Sequence, residues 1–169
     1  MACALTSGFA LDCKDGVGGV KAIHLIDWAA TGFSIGGGEV TATTISSANT
    51  FTYDLAPNTA NMVVTTNTDD VAGTTFYTTD AVFTLRKLST VKRNELKLVT
   101  QGRLFCIVQD KMNNYWLCGK DSGAVVTART SETGTAMGDF NGYNVTIQAM
   151  DSEEPYKLQA SIITALGIA

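Results

Sequence analysis

The sequence contains few of the side chains that carry catalytic chemistry. Among its 169 residues are one histidine, four cysteines and two prolines, and only 17% of the residues are charged. A hydrolase triad needs a base beside its nucleophile, and that base is usually histidine. His24 lies in an apolar run and no Gly-x-Ser-x-Gly turn is present, so we expect a structural histidine with a backbone partner. The sequence therefore predicts no enzyme and no catalytic residues.

The motifs that could hold a phosphate or a metal ion are incomplete. The glycine-rich run 15–20 precedes a predicted strand, whereas a phosphate-binding loop must open a helix. The acidic runs 69–70, 139–144 and 153–154 lack the twelve-residue calcium-loop pattern. The first is typical of a solvated loop, and the other two are typical of turns. We therefore expect no metal and no cofactor.

Basic charge and long apolar runs are scarce as well. The net charge is −4, and the basic clusters are limited to 86–87 and 92–93. Such a chain lacks the electrostatic footprint of a protein that holds phosphates. No stretch approaches the roughly 18 consecutive apolar residues of a membrane helix, and the first residues lack the basic start of a signal peptide. We expect no membrane partner and synthesis in a cytoplasm without export.

The four cysteines, Cys3, Cys13, Cys106 and Cys118, do not form a zinc motif. No two of them have the Cys-x-x-Cys spacing, and one histidine is too few for a mixed site. Runs 103–109 and 115–118 predict a hairpin in which Cys106 faces Cys118. Directly opposed residues lie at the lower limit of disulfide geometry. A reducing cytoplasm favours free thiols packed as small apolar groups.

The sequence is rich in strand-forming residues. Threonine is abundant, and β-branched side chains favour strands over helices. Residues 74–88 alternate between apolar and polar, the period of a half-buried strand. Further strands are predicted at 20–28, 39–45, 51–55, 61–66, 103–109, 115–118, 124–129 and 143–150. We expect a mainly β (α+β) fold, a barrel or sandwich of antiparallel strands forming a single domain over 1–169.

One helix is predicted beside the strands, over 90–101. Ser89 or Thr90 can cap its first amides, and Gly102 is expected to end it with a positive φ. Its apolar stripe is formed by Val91, Leu96, Leu98 and Val99. The dipeptide Asn141-Gly142 favours a two-residue turn in which both residues have positive φ.

Three features together favour self-association over ordinary core packing. Strands such as 39–45 have uncharged faces, and the edges of such strands must be paired or covered. Segment 156–169, which suits either a strand or a helix, ends in an apolar run that makes a poor free tail in water. Loop 67–73 joins two strands like an arm able to reach across a subunit boundary. Core packing explains each feature alone, but jointly they favour an assembly.

The order of these elements resembles that of bacteriophage tail tube proteins. The resemblance rests on the early strands, the arm strands 62–66 and 74–85, helix 90–101, hairpin 103–118 and the final Tyr-Asn-Val-Thr-Ile strand at 143–147. Stretches 6–23 and 134–143 are similar to segments of small structural proteins of tailed phages. The resemblance covers most of the chain.

The resemblance implies a β-barrel-like protomer with a flanking helix. Such protomers close into rings, often hexameric, that stack into a hollow tube for the genome. It also implies synthesis in the cytoplasm of a bacterial host and a final place in the virion tail. The partners would be copies of the chain itself, other tail proteins, and DNA that passes without specific binding. An acidic protein suits this role because a negative lumen repels DNA.

We expect the arm, 62–85, and the C-terminal segment, 156–169, to make the contacts between protomers. The candidate self-assembly residues are Val71, Phe76 and Tyr77 in the arm and Ile162, Ile163 and Leu166 near the C-terminus. One alternative is another phage protein of the neck, a ring or the capsid decoration. A second alternative is a monomeric β-sandwich that binds a carbohydrate or peptide on an exposed aromatic platform of Trp28, Tyr115, Trp116 and Tyr143.

Overall fold

The alternating pattern of the sequence becomes a large sheet in a computed structural model, which describes residues 7–168. The strands are β1 (Val20–Asp27), β2 (Phe33–Gly36), β3 (Glu39–Thr43), β4 (Thr50–Asp54), β5 (Ala60–Asp69), β6 (Thr74–Arg86), β7 (Leu104–Asp110), β8 (Tyr115–Cys118), β9 (Ala124–Glu132), β10 (Gly142–Asp151) and β11 (Tyr156–Leu158). The helices are α1 (Thr90–Gln101) and α2 (Ala160–Leu166). The predicted mainly β fold class is confirmed.

The sheet consists of two layers that meet at one strand pair. The first layer has the order β4-β1-β7-β8-β11-β3-β2, and the second has the order β9-β10-β6-β5. The layers are joined where Leu104 of β7 pairs with Ala124 of β9. The pairs are antiparallel except for β3 with β11. The sheet stays open, so the architecture is that of a sandwich and not of the closed barrel that the sequence left as an alternative.

Strand β7, at the centre of the first layer, is buried on both faces. Its side chains enter two different cores in alternation, because successive residues of a strand point to opposite faces. Leu104, Cys106 and Val108 lie in the core between the layers. Phe105 and Ile107 lie in a second core, which α2 covers with Ile162, Leu166 and neighbouring residues.

The second layer is buried on one face only. In β6, Thr79, Ala81, Phe83 and Leu85 are buried, and the residues between them are half-exposed. The predicted alternation of 74–88 is thus confirmed. The buried face packs with β10, whose Val145 and Ile147 lie opposite Phe83 and Ala81.

Helix α1 begins and ends at the predicted residues. The Ser89 hydroxyl accepts a hydrogen bond from the Lys92 amide, the expected cap. Only Leu96 and Val99 of the predicted stripe are buried, whereas Val91 and Leu98 are exposed. The expected positive φ of Gly102 is wrong: its φ is −94°, and its amide bonds the Leu98 carbonyl to close the helix.

The expected tight turn at Asn141-Gly142 is also wrong. Neither residue has a positive φ, and β9 and β10 are joined by the longer connection 133–141. Gly142 is nevertheless required there by close packing, because a Cβ atom would lie 2.1 Å from the Leu85 carbonyl oxygen. Position 142 therefore requires glycine because two strand backbones approach closely there, and not because of a turn.

The predicted register of the cysteine hairpin is confirmed. Cys106 pairs with Cys118 and Gln109 pairs with Tyr115. Both thiols are free and buried, as expected for small apolar groups. Burial raises the pKa of Cys106 to about 12, so the reactive thiolate is strongly disfavoured. Cys13 is also free, and Cys3 lies outside the described residues.

Candidate assembly surface

The hairpin of β5 and β6 extends beyond the strands that support it. Pairing of β6 with β10 ends at Tyr77, opposite Asp151. Pairing of β6 with β5 continues to Thr74, opposite Asp69. Residues 67–76, which we call the arm tip, therefore pair only with each other. The loop predicted at 67–73 is shorter than expected, because strand pairing continues to residue 69 and the turn occupies 70–73.

The turn of the arm tip is held by its own side chains. The Asp69 carboxylate accepts hydrogen bonds from the amides of Val71, at 2.9 Å, and Ala72, at 3.1 Å. Gly73 has a φ of +62°, which glycine adopts without strain. The Asp69 carboxylate thus stabilises a turn, whereas the sequence predicts only a solvated loop for the acidic pair 69–70. This turn presents Val71 to solvent with its side chain fully exposed.

Strand β5 is an unpaired edge, whose start at Asn61 and Met62 borders a cavity shared with Val20 of β1. Within the described residues it pairs with β6 alone, in a register without a bulge. Proteins usually blunt such edges with lysine, proline or a bulge. This strand has none of them, and its only charged residue is Asp69 at the end. Val63 and Val64 lie at 49% and 37% exposure on this edge. Sequence reasoning missed these two valines as site residues, although they lie in the apolar run predicted as a strand.

The exposed face of the second layer is uncharged over most of its area. Its apolar side chains are Val63, Phe76, Val82, Val125 and Met150, which lie among threonine, asparagine and glutamine residues. Its acidic residues are Asp69, Asp80 and Glu132, and Arg86 lies at the end of β6. The Gln148 amide donates to Asp80 at 2.8 Å, which links two neighbouring strands on this face.

The three candidate residues of the arm lie together near the tip. Val71 is in the turn, and Phe76 is 42% exposed on the open face of the layer. Tyr77 follows it in β6 and therefore points to the opposite face, where it is half-buried. The arm tip thus exposes apolar groups in the turn and on the open face, with a half-buried tyrosine on the other face.

The C-terminal candidates lie in a different place from the one expected. Ile162 and Leu166 are four positions apart on one side of α2, and both are buried in the second core. Ile163 is half-buried against the same core. The Tyr115 hydroxyl donates to the Ile168 carbonyl at 2.8 Å and fixes the segment further. The apolar tail is therefore covered within its own protomer and offers no free surface for burial against a neighbour.

The single histidine has a structural environment. The His24 Nδ1 atom lies 2.9 Å from the Thr52 hydroxyl, so its partner is a side chain and not the expected backbone group. Its Nε2 atom is buried without a partner, and the ring stacks on Tyr115 with centroids 5.8 Å apart. Burial lowers the pKa of His24 to about 4, which keeps the ring neutral at pH 7.

The four aromatic residues of the alternative binding module do not form an exposed platform. Tyr115 and Tyr143 are buried at 4% exposure each. Trp28 and Trp116 are half-buried, and their indole N–H groups donate to the Lys120 carbonyl and the Asp110 carboxylate. These contacts explain the aromatic residues as parts of the packing.

Comparisons of the chain with models of protein families, with curated proteins and with solved structures find no match. Among residues 7–168, no group of three or more His, Cys, Asp or Glu side chains is placed to hold a metal ion. No helix in that part of the chain is long and apolar enough to cross a membrane. The chemistry that the open edge and arm tip offer is backbone hydrogen bonding and apolar contact.

Proposed function

We propose that this chain is a virion structural protein of a tailed bacteriophage, whose copies close into rings that stack into the tail tube. The observation that carries the self-assembly is the open β5 edge on a hairpin that extends beyond its sheet. This edge of ten residues, which no strand of residues 7–168 pairs on its outer side and whose only charged residue is Asp69 at the end, is a template for another strand. The phage assignment rests on the resemblance of the element order and of stretches 6–23 and 134–143.

The second layer offers two open edges at opposite ends, which is the arrangement that a ring needs. At one end, the only strand of residues 7–168 that pairs with β5 is β6. At the other end, β9 pairs with β7 at Ala124, and no strand in that part of the chain pairs with the outer side of 125–132. Pairing β5 of one copy with β9 of the next is a head-to-tail contact, and repeated head-to-tail contacts close into rings when the rotation fits.

The exposed face of the second layer suits the wall of a channel for DNA. Its charged side chains are Asp69, Asp80, Glu132 and the terminal Arg86, so its net charge is negative. Negative charge repels phosphates and lets DNA pass without being held. Such a protein would be made in the cytoplasm of the bacterial host, join other tail proteins and end in the tail of the virion.

The first test is the state of the untagged protein in solution. We expect light scattering to show a mass many times the 17.9 kDa of one chain, and negative-stain electron microscopy to show rings and hollow tubes. Rings that never stack would favour the neck or another ring layer of a phage. A 17.9 kDa species at every concentration up to the solubility limit would contradict self-assembly and favour a decoration protein or binding module.

A further inference from the structure

A second unpartnered surface lies in the first layer, between β4 and α1. Strand β4 pairs with β1 only, so its other side is an open edge among the described residues. Two cavities lie between this strand and α1, and both are lined by Tyr53 and Glu95. The first, of about 390 Å³, also reaches Val91, and the second, of about 400 Å³, reaches Phe51 and Leu98. We call this pair of cavities the β4–α1 groove.

The walls of the groove combine exposed apolar side chains with charged ones. The charged residues that line it are Asp27, Asp54, Arg86, Lys92 and Glu95. Val91, Glu95 and Leu98 form one stripe of α1, since residues four and seven positions apart share a helix face. Val91 is 79% exposed and Leu98 is 63% exposed. On the opposite wall Phe51, at 49% exposure, lies two residues from Tyr53 on the same face of β4. Helix α1 therefore exposes Val91 and Leu98 on either side of Glu95, and residues 7–168 leave this face uncovered.

The N-terminal segment has exposed apolar side chains of its own. Residues 7–19 are exposed throughout, and Phe9 and Leu11 are 99% and 102% exposed. In an extended chain these two large side chains share one face, while Ala10 and Asp12 lie on the other. In an extended chain, side chains two residues apart are separated by about 6.7 Å. Phe51 and Tyr53, which line the groove, are likewise two residues apart in a strand.

We propose that residues 8–12 of one copy add as a strand to the open edge of β4 in a neighbouring copy. Phe9 and Leu11 then fill the two adjoining cavities of the β4–α1 groove. In strand addition, backbone hydrogen bonds supply affinity and alternate side chains supply specificity. The occupant is a second copy because Phe9 and Leu11 are fully exposed in their own protomer and do not line its groove. This contact rests on the self-assembly proposed above, and it uses a surface separate from the β5 edge.

The contact is tested directly by photo-crosslinking from position 9. Phe9 is replaced by the photoreactive amino acid benzoylphenylalanine, and this protein is mixed with wild-type protein labelled with ¹⁵N before assembly. We expect crosslinks between the unlabelled position 9 and labelled peptides that contain β4 or α1. Crosslinks confined to one isotope form would show docking within a single chain. Crosslinks to any other surface, or none in an assembled sample, would also overturn the proposal.

Substitution on both sides of the contact measures its strength. Burial of Phe9 or Leu11 predicts that each change to serine weakens association roughly tenfold to hundredfold. Leu98→Ser in the groove should weaken it similarly. The matched control is Met137→Ser, which removes a side chain that is 109% exposed on the 133–141 connection. Sedimentation velocity over a concentration series gives the association constants.

The two proposals fail in different ways in these experiments. If the wild-type chain does not associate, the proposed function falls and this contact falls with it. If the wild-type chain associates but Phe9→Ser with Leu11→Ser does so equally well, only the contact is refuted. Because all three substituted side chains are exposed, we expect unchanged thermal unfolding, so a loss of association cannot be attributed to misfolding.

Discussion

The two layers of the sheet differ in how much of their surface the chain covers by itself. In the first layer, the central strand β7 is buried on both faces, by the second layer on one side and by α2 on the other. In the second layer, Phe83 is fully buried while its neighbour Val82 remains half-exposed. The central strands of the first layer are covered within one protomer, although its edge strand β4 stays open. The second layer leaves a whole face and the β5 edge open among the described residues.

This difference separates the residues that fold the chain from those available for assembly. A strand buried on both faces has a continuous apolar sequence, as in Leu-Phe-Cys-Ile-Val at 104–108. A strand buried on one face alternates, as β6 does. Substitutions in the first layer should therefore change the free energy of unfolding, and substitutions at the open edge should change association while the fold stays intact.

The largest expected change in unfolding free energy comes from a substitution in the second core, which α2 covers. Leu166→Ala removes a side chain that is 1% exposed in the second core. Loss of such a buried leucine costs about 2–5 kcal/mol of unfolding free energy, because transfer and cavity terms add. Urea unfolding followed by tryptophan fluorescence measures the change. The control is Ala165→Ser on the exposed side of α2, and a loss as small as that control would show that α2 does not complete the core.

The next largest effect is a loss of stability in acid, which we expect from His24 in β1 of the first layer. Burial lowers the pKa of His24 to about 4, whereas the unfolded chain has its ordinary value of 6.5. The unfolded state therefore binds the proton first, and stability falls as the pH drops from 6.5 through 4. The shift corresponds to on the order of 3 kcal/mol once the pH is below the folded value. Urea midpoints measured from pH 7.5 to pH 4 give this slope.

The variant that isolates this effect is His24→Gln, which cannot take up a proton. We expect its stability to be nearly independent of pH between 6.5 and 4. Two carboxyl groups also have lowered pKa values: Asp110, through hydrogen bonds from Asn114, and Asp121, through hydrogen bonds from Ser152. Their protonation reduces the stability of the protein mainly at more acidic pH. A slope that persists unchanged in His24→Gln would assign the acid sensitivity to other groups.

Sequence patterns within single helices and strands predicted those elements well. Features that depend on contacts between distant elements could not be predicted from such patterns. The alternation of 74–88, the cap at Ser89 and the Cys106–Cys118 register depend on neighbours along the chain, and all are confirmed. The predictions of a positive φ at Gly102 and of a tight turn at 141–142 were wrong, because a sequence can require glycine for reasons other than a positive φ. At Gly142 the reason is the nearby Leu85 carbonyl, which no local pattern reveals.

The prediction of the candidate assembly residues was also limited by contacts between distant elements. The arm residue Val71 was predicted from an apolar side chain in a polar loop, and it lies in an exposed turn. Ile162 and Leu166 were selected for being apolar near the C-terminus, but apolarity alone does not tell which surface covers them. That surface is the outer face of β7 and β8, more than forty positions away in the chain, whose second core was not predicted. Val63 was missed because the openness of an edge depends on the strand order.

The smallest change in stability should accompany the largest change in assembly, at Val63 on the open edge. Val63→Lys places a cation directly opposite Asp80 in the β5–β6 register, so the fold tolerates it and unfolding should change by no more than about 0.5 kcal/mol. A lysine on an edge strand opposes pairing with a further strand, since the added strand would bury its charge. We expect sedimentation to show protomers where wild type gives rings, while Ser161→Lys, on exposed α2, assembles normally. Normal tubes from Val63→Lys would move the ring contact away from β5, and a large loss of stability would show that this edge belongs to the folded core.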